Sequence, residues 1–166
     1  MKKIVLISDT HGYLDERFIP YLNACDEIWH AGDVGNDQVY ESLKKIAPIK
    51  AVYGNIDGNP LRHELPEWME WETESVRVLM THIGGRPPKF SKDVLNRLKI
   101  TSPKIFICGH SHILLVQYVK ELDCLHLNPG AAGKHGWHKV QTILKFEIEG
   151  SDIKNMEVVE LERESR

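Results

Sequence analysis

Short apolar runs rich in β-branched residues recur along the chain, each bounded by Gly, Asn, Asp or Pro. Runs of this length and composition are typical of buried β-strands. Five of them lie in the first two thirds of the chain, at residues 4–8, 27–31, 49–53, 76–81 and 104–108. Segments with helical spacing of apolar positions predict helices at residues 15–23, 37–46 and 91–99. Ser91 is placed to cap the third helix.

The alternation of strands and helices over the first hundred residues predicts an α/β sheet whose neighbouring strands run mostly parallel. The rest of the chain has no helix-length segment between its apolar runs. Its predicted strands lie at residues 114–120, 122–127, 142–149 and 154–161. We therefore expect a second, more antiparallel sheet packed on the first. Residues 67–72 and 76–81 are expected to form a hairpin.

Length and composition fit one globular domain. The 166 residues are 42% hydrophobic and 27% charged, which excludes disordered, collagen-like and coiled-coil proteins. No repeat or linker-like stretch divides the chain, so we predict a single domain over residues 1–166. The formal net charge of −3 gives no overall positive field, and no nucleic-acid partner is expected.

Cysteine usage and the apolar runs indicate the compartment. Cys25, Cys108 and Cys124 are an odd, dispersed set, which argues against a disulfide framework and against an all-cysteine zinc site. The N-terminal apolar run is too short for a secretory signal, and no stretch approaches the about 18 apolar residues of a membrane span. These features predict a cytoplasmic protein with no membrane partner.

Polar side chains with metal-ligand chemistry follow five of the predicted strands. Ligands of α/β sheets bind beyond the carboxyl ends of the strands. The candidate metal ligands at these ends are Asp9, His11, Asp33, Asn55, His82, His110 and His112. Four of the strand ends carry an adjacent Gly, which permits sharp turns and close packing around a small site. Residues 9 and 11, like residues 110 and 112, would point to the same side of an extended chain.

Each of these residues has a simpler explanation when it is taken alone. Asp9 or Asp33 could form an Asx turn or cap a helix, and Asn55 with Asp57 could build an ordinary turn. These explanations must all hold independently, whereas one metal site explains the whole set. The set exceeds the about four ligands that one zinc ion takes and suits two ions that share a carboxylate.

The donor set combines imidazole with carboxylate and amide oxygens and lacks a thiolate. Such a set is compatible with several first-row ions, because the affinity order alone does not select among them. We expect two divalent metal ions as cofactors, with manganese first and nickel, iron, zinc, cobalt or magnesium as alternatives.

The residues and their order resemble the calcineurin-like metallophosphoesterase superfamily. The matching motifs are Asp9-Thr-His11, Gly32-Asp33, Gly54-Asn55-Ile56-Asp57, His82 and Gly109-His110-Ser-His112, within residues 1–133. The short chain and the form of the third motif resemble a small bacterial and archaeal phosphodiesterase branch that includes a eukaryotic retromer subunit. The resemblance implies two packed mixed β-sheets flanked by helices, a four-layer αββα sandwich of the α/β class.

The resemblance also implies how the ligands divide between two ions. One ion would take Asp9, His11, Asp33 and His112. The other would take Asp33, Asn55, His82 and His110, so that Asp33 bridges the two. The implied catalytic residues are Asp33, Asn55, Asp57 and His82. The implied activity is hydrolysis of a small phosphate ester, a phosphodiester first, by hydroxide held between the ions.

Ile56 departs from the family pattern. Many members place His directly after the Asn, where it can protonate the leaving alkoxide, and such general-acid help is worth about 10²–10⁴ in rate. We therefore predict a preference for good leaving groups such as aryl diesters, unless His135 substitutes. A non-catalytic interaction scaffold on the same fold and a phosphomonoesterase stay open as alternatives, as does a homodimer through apolar residues at 66–71.

Overall fold

Two five-stranded β-sheets packed face to face form the body of the molecule in a computed structural model that describes residues 1–163. The strands of the first sheet are β1 (Lys2–Ile7), β2 (Glu27–His30), β3 (Ile49–Ala51), β9 (Val140–Glu149) and β10 (Asp152–Glu162). Those of the second are β4 (Trp68–Thr73), β5 (Val76–Thr81), β6 (Ile105–Ile107), β7 (Leu114–Val119) and β8 (Cys124–Pro129). Residues 164–166, which the predicted domain includes, lie outside the described part of the chain.

Both sheets are mixed. The order in the first is β10-β9-β1-β2-β3, with β1 parallel to β2 and antiparallel to β9. The order in the second is β4-β5-β6-β8-β7, with three parallel strands at the centre and an antiparallel strand at each edge. Strands β4 and β5 form the predicted hairpin, and β5 has the predicted bounds.

The distribution of strands between the sheets differs from the expectation. We expected the first five apolar runs in one sheet and the later runs in a second, and this division is wrong. Strands β5 and β6 belong to the second sheet, while β9 and β10 extend the first beyond β1. A pattern of alternating burial specifies which face of a strand is covered, but not which strand lies beside it. The pairing of Leu144 with Leu6 joins the first strand of the chain to β9, more than 130 residues later.

Helices flank both sheets. They are α1 (Ile19–Asn23), α2 (Asp37–Ile46), α3 (Leu61–Glu64) and α4 (Lys92–Thr101). Helix α2 has the predicted bounds, and Ser91 caps α4 as predicted, accepting the Val94 backbone N–H (3.2 Å). The helix predicted at 15–23 is divided, because a 3₁₀ turn (Glu16–Phe18) precedes α1. No helix within residues 1–163 has both the length and the apolar character needed to cross a membrane.

Alternation along the strands builds the core in layers. In β1, Ile4 and Leu6 pack between the two sheets, whereas Val5 and Ile7 face the helical layer that contains α1 and α2. On the far side of the second sheet, Leu98 of α4 packs in a third apolar cluster. The result is the predicted four-layer αββα sandwich. Its layers hold the carboxyl ends of the parallel strands together at one edge.

Candidate metal centre

Five loops leave the carboxyl ends of β1, β2, β3, β5 and β6 and meet at one edge of the two sheets. They carry all of the candidate ligands: Asp9, His11, Asp33, Asn55, His82, His110 and His112. Strands β1 to β3 run parallel in the first sheet, and β5 runs parallel to β6 in the second. Within each sheet the ligand loops therefore emerge on the same side. The fold brings together Asp9 and His110, which are 101 residues apart in the sequence.

Six of the seven side chains form two groups that could each hold a metal ion. Within each group the ligand atoms lie within 4.8 Å of one another; the groups are Asp9, His11 and His112, and Asp33, His82 and His110. In the first, Nε2 of His112 is 3.2 Å from Oδ1 of Asp9. In the second, Nε2 of His82 is 3.2 Å from Oδ2 of Asp33.

The two groups adjoin each other through Asp33. Nε2 of His11, in the first group, lies 3.5 Å from Oδ2 of Asp33. Nε2 of His82, in the second group, lies 3.8 Å from Oδ1 of Asp9. The seventh candidate, Asn55, places its amide oxygen 3.0 Å from Nδ1 of His110. The carboxylate of Asp33 thus lies between histidines of both groups.

The loops that carry these residues are not extended. Asp9, His11, Asp33, His110 and His112 have φ values between 47° and 71°, a region that residues other than glycine seldom adopt. The expectation that extended geometry aligns residues 9 with 11 and 110 with 112 is therefore wrong. Asp9 and His11 still share a group, but His110 and His112 belong to different groups. Such backbone strain costs about 1–3 kcal/mol per residue and clusters at functional sites.

Glycines lie where the loops touch one another. A Cβ atom on Gly54 would lie 2.1 Å from Oδ1 of Asp33, and one on Gly109 would lie 2.2 Å from the Ser8 hydroxyl. Any larger residue would displace the side chains that surround the site. This is the close approach that we predict for these glycines.

Each of the two aspartates has one oxygen held by the protein. Oδ2 of Asp9 accepts the hydroxyl of Ser8 (2.7 Å) and the backbone N–H of His110 (3.0 Å). Oδ1 of Asp33 accepts the backbone N–H of Ile56 (3.0 Å). The other oxygen of each carboxylate faces the histidines of the two groups.

Several atoms that face this space have no hydrogen-bond partner. Within residues 1–163, Oδ1 of Asp9 and the Nε2 atoms of His11 and His82 are buried and unpaired, although buried polar atoms are normally paired. Nδ1 of His82 lies 2.7 Å from the carbonyl of Ala31, which fixes the ring so that Nε2 faces the site, as in metal-binding histidines. Unpaired imidazole nitrogens around carboxylate oxygens are a donor set that fits first-row divalent ions.

The surroundings of Asp9 and Asp33 favour the ionised form of both carboxylates. Burial raises the pKa of Asp9, but the adjacent imidazoles of His11 and His112 outweigh burial and hold it well below its ordinary value. Burial also raises the pKa of Asp33, but His82 outweighs burial and lowers it. Both carboxylates are therefore ionised at neutral pH, which is the form that binds a metal ion.

Asp57 lies behind the site rather than in either group. Its carboxylate accepts backbone N–H groups of Val34 (3.2 Å), Gly35 (2.8 Å) and Gly54 (2.8 Å). It thereby ties the loop after β2 to the loop after β3. Arg62 also holds the loop after β3, by donating to the carbonyl of Asp57. Sequence reasoning missed Arg62, because its only signal is an Arg shortly after the Asn-x-Asp motif.

Arg62 holds the loop that carries Asn55 from outside. Its guanidinium donates to the carbonyls of Asp57 (2.8 Å), Gly54 (3.2 Å) and Asn55 (3.4 Å). Its charged group also lies 4.5 Å from the centre of the Tyr53 ring. These contacts fix the backbone on both sides of the amide that faces His110.

Two further side chains brace the ligand loops. Nε2 of His30 lies 3.0 Å from the hydroxyl of Thr10, and its Nδ1 accepts the backbone N–H of Gly32 (3.1 Å). Burial lowers the pKa of His30 to about 4, so this imidazole is neutral. The side-chain amide of Asn128 donates to the carbonyl of Gly109 (2.9 Å).

Ile56 and His135 lie beside the centre. The side chain of Ile56 is 47% exposed, and this position offers no proton donor. His135 is exposed and stacks on His11, with ring centroids 4.6 Å apart. A histidine from a distant loop therefore lies next to a candidate ligand.

The comparisons with known proteins agree with the motifs and the fold. A family model described as "Calcineurin-like phosphoesterase superfamily domain" matches residues 1–151. The chain belongs to this family. It is also 32% identical over 138 residues to a probable metallophosphoesterase of Methanothermobacter thermautotrophicus, across 77% of this chain and 76% of that protein. The resemblance inferred from the motifs is confirmed.

Solved structures share the arrangement of the two sheets. Vps29 of Entamoeba histolytica, complexed with Zn²⁺, has a TM-score of 0.75 at 18% identity, covering 98% of this chain and 99% of that chain. An archaeal phosphodiesterase has a TM-score of 0.72 at 24% identity, covering 95% and 99% of the two chains. At these identities the likeness shows the fold. Membership of the calcineurin-like phosphoesterase family supports a metal-dependent phosphoesterase.

Proposed function

We propose that this family member is a two-metal phosphodiesterase that hydrolyses a small phosphodiester. One observation carries the proposal: two adjoining groups of ligand atoms meet at Asp33, and buried atoms of Asp9, His11 and His82 face them unpaired. A single ion would use one group and leave unpaired atoms in the other. The archaeal phosphodiesterase that shares this fold supports the diester as the substrate class.

The proposed ligands follow from these distances together with the family resemblance. Asp9, His11, Asp33 and His112 would hold one ion, and Asp33, Asn55, His82 and His110 the other. When bound, the two ions would activate water for attack on phosphorus and neutralise phosphate oxygens. Manganese is our first choice, with nickel, iron, zinc, cobalt and magnesium to be compared; the zinc complex of the Entamoeba protein supports a divalent ion.

The protein's own residues orient this chemistry. Ala31 and Ser8 hold His82 and Asp9 in the orientations that leave one ligand atom of each free. We assign Asp57 a positioning role, because its carboxylate accepts three backbone N–H groups of the ligand loops. Asn55 presents a neutral oxygen beside His110, and its amide NH₂ group can donate to a phosphate oxygen.

The leaving group sets the expected substrate preference. Ile56 offers no proton to a departing alkoxide, so diesters with good leaving groups should react fastest. His135, exposed beside His11, is our candidate for a proton donor from outside the family motif. A cytoplasmic location and a homodimer remain predictions.

The test starts from metal-free protein reloaded with Mn²⁺, Ni²⁺, Zn²⁺ or Mg²⁺ and assayed on bis(4-nitrophenyl) phosphate and on 4-nitrophenyl phosphate. We expect two ions per chain by elemental analysis and a higher kcat/KM for the diester. Asp33→Ala should lower activity at least about 10²-fold, whereas Asp93→Ala, a change at an exposed aspartate in the first turn of α4, should retain it.

Each alternative has its own outcome in this experiment. A higher kcat/KM for the monoester would identify a phosphomonoesterase. Metal binding without turnover of either ester would favour a non-catalytic scaffold. One ion per chain at full activity would overturn the two-metal proposal.

A further inference from the structure

Two hollows flank the exposed side chain of Ile83, directly beside the metal centre. The first, the small hollow, has a volume of about 160 Å³ and is lined by Ile83, Arg86, His110, Ile113 and Leu115, among others. The second, the large hollow, has a volume of about 340 Å³ and is lined by Tyr53, Asn55, Arg62, Glu67, Trp68 and His82, among others. Ile83 belongs to the walls of both.

Both hollows are continuous with the second group of candidate ligands. His110 lines the small hollow, and His82 lines the large one. These two imidazoles contact each other edge to face, with ring centroids 5.3 Å apart. A phosphate group held between them would therefore direct one substituent toward each hollow.

The walls of the small hollow are chiefly apolar. Ile83 is 53% exposed and Ile113 is 55% exposed, while Leu115 of β7 is half-buried. Large apolar side chains exposed together at the rim of a polar site mark a ligand surface. Arg86 adds a positive charge to this hollow, which suits an anionic ester.

The walls of the large hollow are more aromatic and polar. Tyr53 carries the guanidinium of Arg62 over its ring, and Trp68 carries that of Arg97 at 4.4 Å. Clefts for drug-sized ligands measure about 300–1,000 Å³, so this hollow accommodates a larger group than the small one does. The two hollows thus differ in size and in chemistry.

We propose that the hollows are subsites for the two organic groups of a phosphodiester. A compact apolar or aryl group occupies the small hollow, and a larger group with polar atoms occupies the large one. The inference rests on the proposed phosphodiesterase function and names its substrate class. A monoester has only one organic group and leaves one hollow unfilled, so the pair of hollows favours the diester.

The kinetic test fills each hollow with a bulky side chain. Leu115→Trp reduces the small hollow, and Val116→Trp is its control on the same strand, because Val116 is exposed and outside the small hollow. Glu67→Trp reduces the large hollow. Its control is Glu70→Trp, on an exposed glutamate outside that hollow, and Glu67→Gln separates lost charge from added bulk.

We expect each hollow-filling variant to raise the KM for bis(4-nitrophenyl) phosphate about tenfold, because one ring loses its apolar contacts. In Glu67→Trp, the ratio of kcat/KM for the diester to that for 4-nitrophenyl phosphate should fall about tenfold, since the single ring of the monoester fits the small hollow. Equal effects of the hollow-filling and control variants would overturn the subsites while leaving the phosphodiesterase function intact.

A binding experiment tests the two subsites even if neither ester is hydrolysed. Zinc-loaded protein is titrated with diphenyl phosphate, which has two rings, and with phenyl phosphate, which has one, and followed by NMR. Diphenyl phosphate should shift both the Leu115 methyl signals and the Trp68 indole signal, whereas phenyl phosphate should shift only those of Leu115. Shifts at neither residue with diphenyl phosphate would overturn the subsites, and wild-type protein inactive on both nitrophenyl esters would overturn the proposed function instead.

Discussion

The two ends of strand β2 each carry a buried carboxylate, and their surroundings differ. Glu27, at the amino end, is 6% exposed and has both oxygens paired. Its Oε1 accepts Nζ of Lys2 (2.6 Å), and its Oε2 accepts the indole N–H of Trp29 (3.0 Å) and Nζ of Lys50 (3.2 Å).

Asp33, just beyond the carboxyl end, is as well buried, at 2% exposed. Its Oδ1 accepts a hydrogen bond from the backbone of Ile56, while Oδ2 faces the Nε2 atoms of His11 and His82. These nitrogens are themselves unpaired among the described residues. A buried carboxylate whose oxygens are all hydrogen-bonded stabilises the fold. A buried carboxylate that faces imidazole nitrogens without hydrogen-bond partners indicates a ligand site.

The largest effect is expected from Asp33→Asn. It removes the carboxylate between the two groups and should lower kcat/KM at least about 10²–10³-fold. It should also reduce the number of ions bound per chain, measured by elemental analysis and calorimetry. Retention of two tightly bound ions would show that Asp33 is not the shared ligand, and the comparison with Glu27 would lose its basis.

Ile56→His sharpens the comparison by adding a proton donor beside Asp33, in the loop that follows β3. General-acid help is worth about 10²–10⁴ in rate where a leaving group needs it. We expect kcat for a methyl aryl or dialkyl diester with a poor leaving group to rise about tenfold or more, and kcat for bis(4-nitrophenyl) phosphate to change little. Ile56→Gln, polar but not an acid, is the control. Equal rates of the parent on alkyl and aryl diesters would contradict the expected preference.

Glu27→Gln tests the other end of the strand. The substitution keeps an acceptor for Trp29 but removes the charge that Lys2 and Lys50 share, so the free energy of unfolding should fall by about 1–3 kcal/mol. Metal affinity and kcat/KM should stay as in the parent. Denaturant unfolding of the metal-free protein measures the first quantity, and a loss of metal affinity would break the comparison.

Asp15→Asn gives the smallest effect and extends the comparison to a third buried acid. The hydrogen bond from Arg17 lowers the pKa of Asp15 to about 2. A carboxyl with a lowered folded-state pKa stabilises the protein above its unfolded value of about 3.9, and this stability is lost as the pH falls toward about 2. The variant should therefore lose about 1–2 kcal/mol at pH 7 and show a flatter stability profile between about pH 5 and 2. An unchanged profile in acid would show that Arg17 does not stabilise the ionised carboxyl.

The accuracy of the sequence predictions follows the range of the interactions involved. Helix α2 and strand β5 have their predicted bounds, because periodicity and flanking residues act over a few positions. The predicted helix at 15–23 is divided locally, since α1 begins at Ile19, with Pro20 in its first turn, after a separate 3₁₀ turn. Arg62 has no such local signal, because its role consists of contacts to carbonyls of a folded loop.

The sequence by itself determined the candidate ligands, because residue types and spacing at strand ends carry that information. The resemblance of these motifs to a known family then implied the layered class of fold. Only the tertiary structure decided the division of strands between the sheets and the left-handed backbone that separates His110 from His112. Left-handed backbone at His110 and His112 sends the two imidazoles to different groups, and the pairing of β1 with β9 joins distant parts of the chain. Both depend on contacts between distant residues, and a local pattern of apolar and polar positions does not specify them.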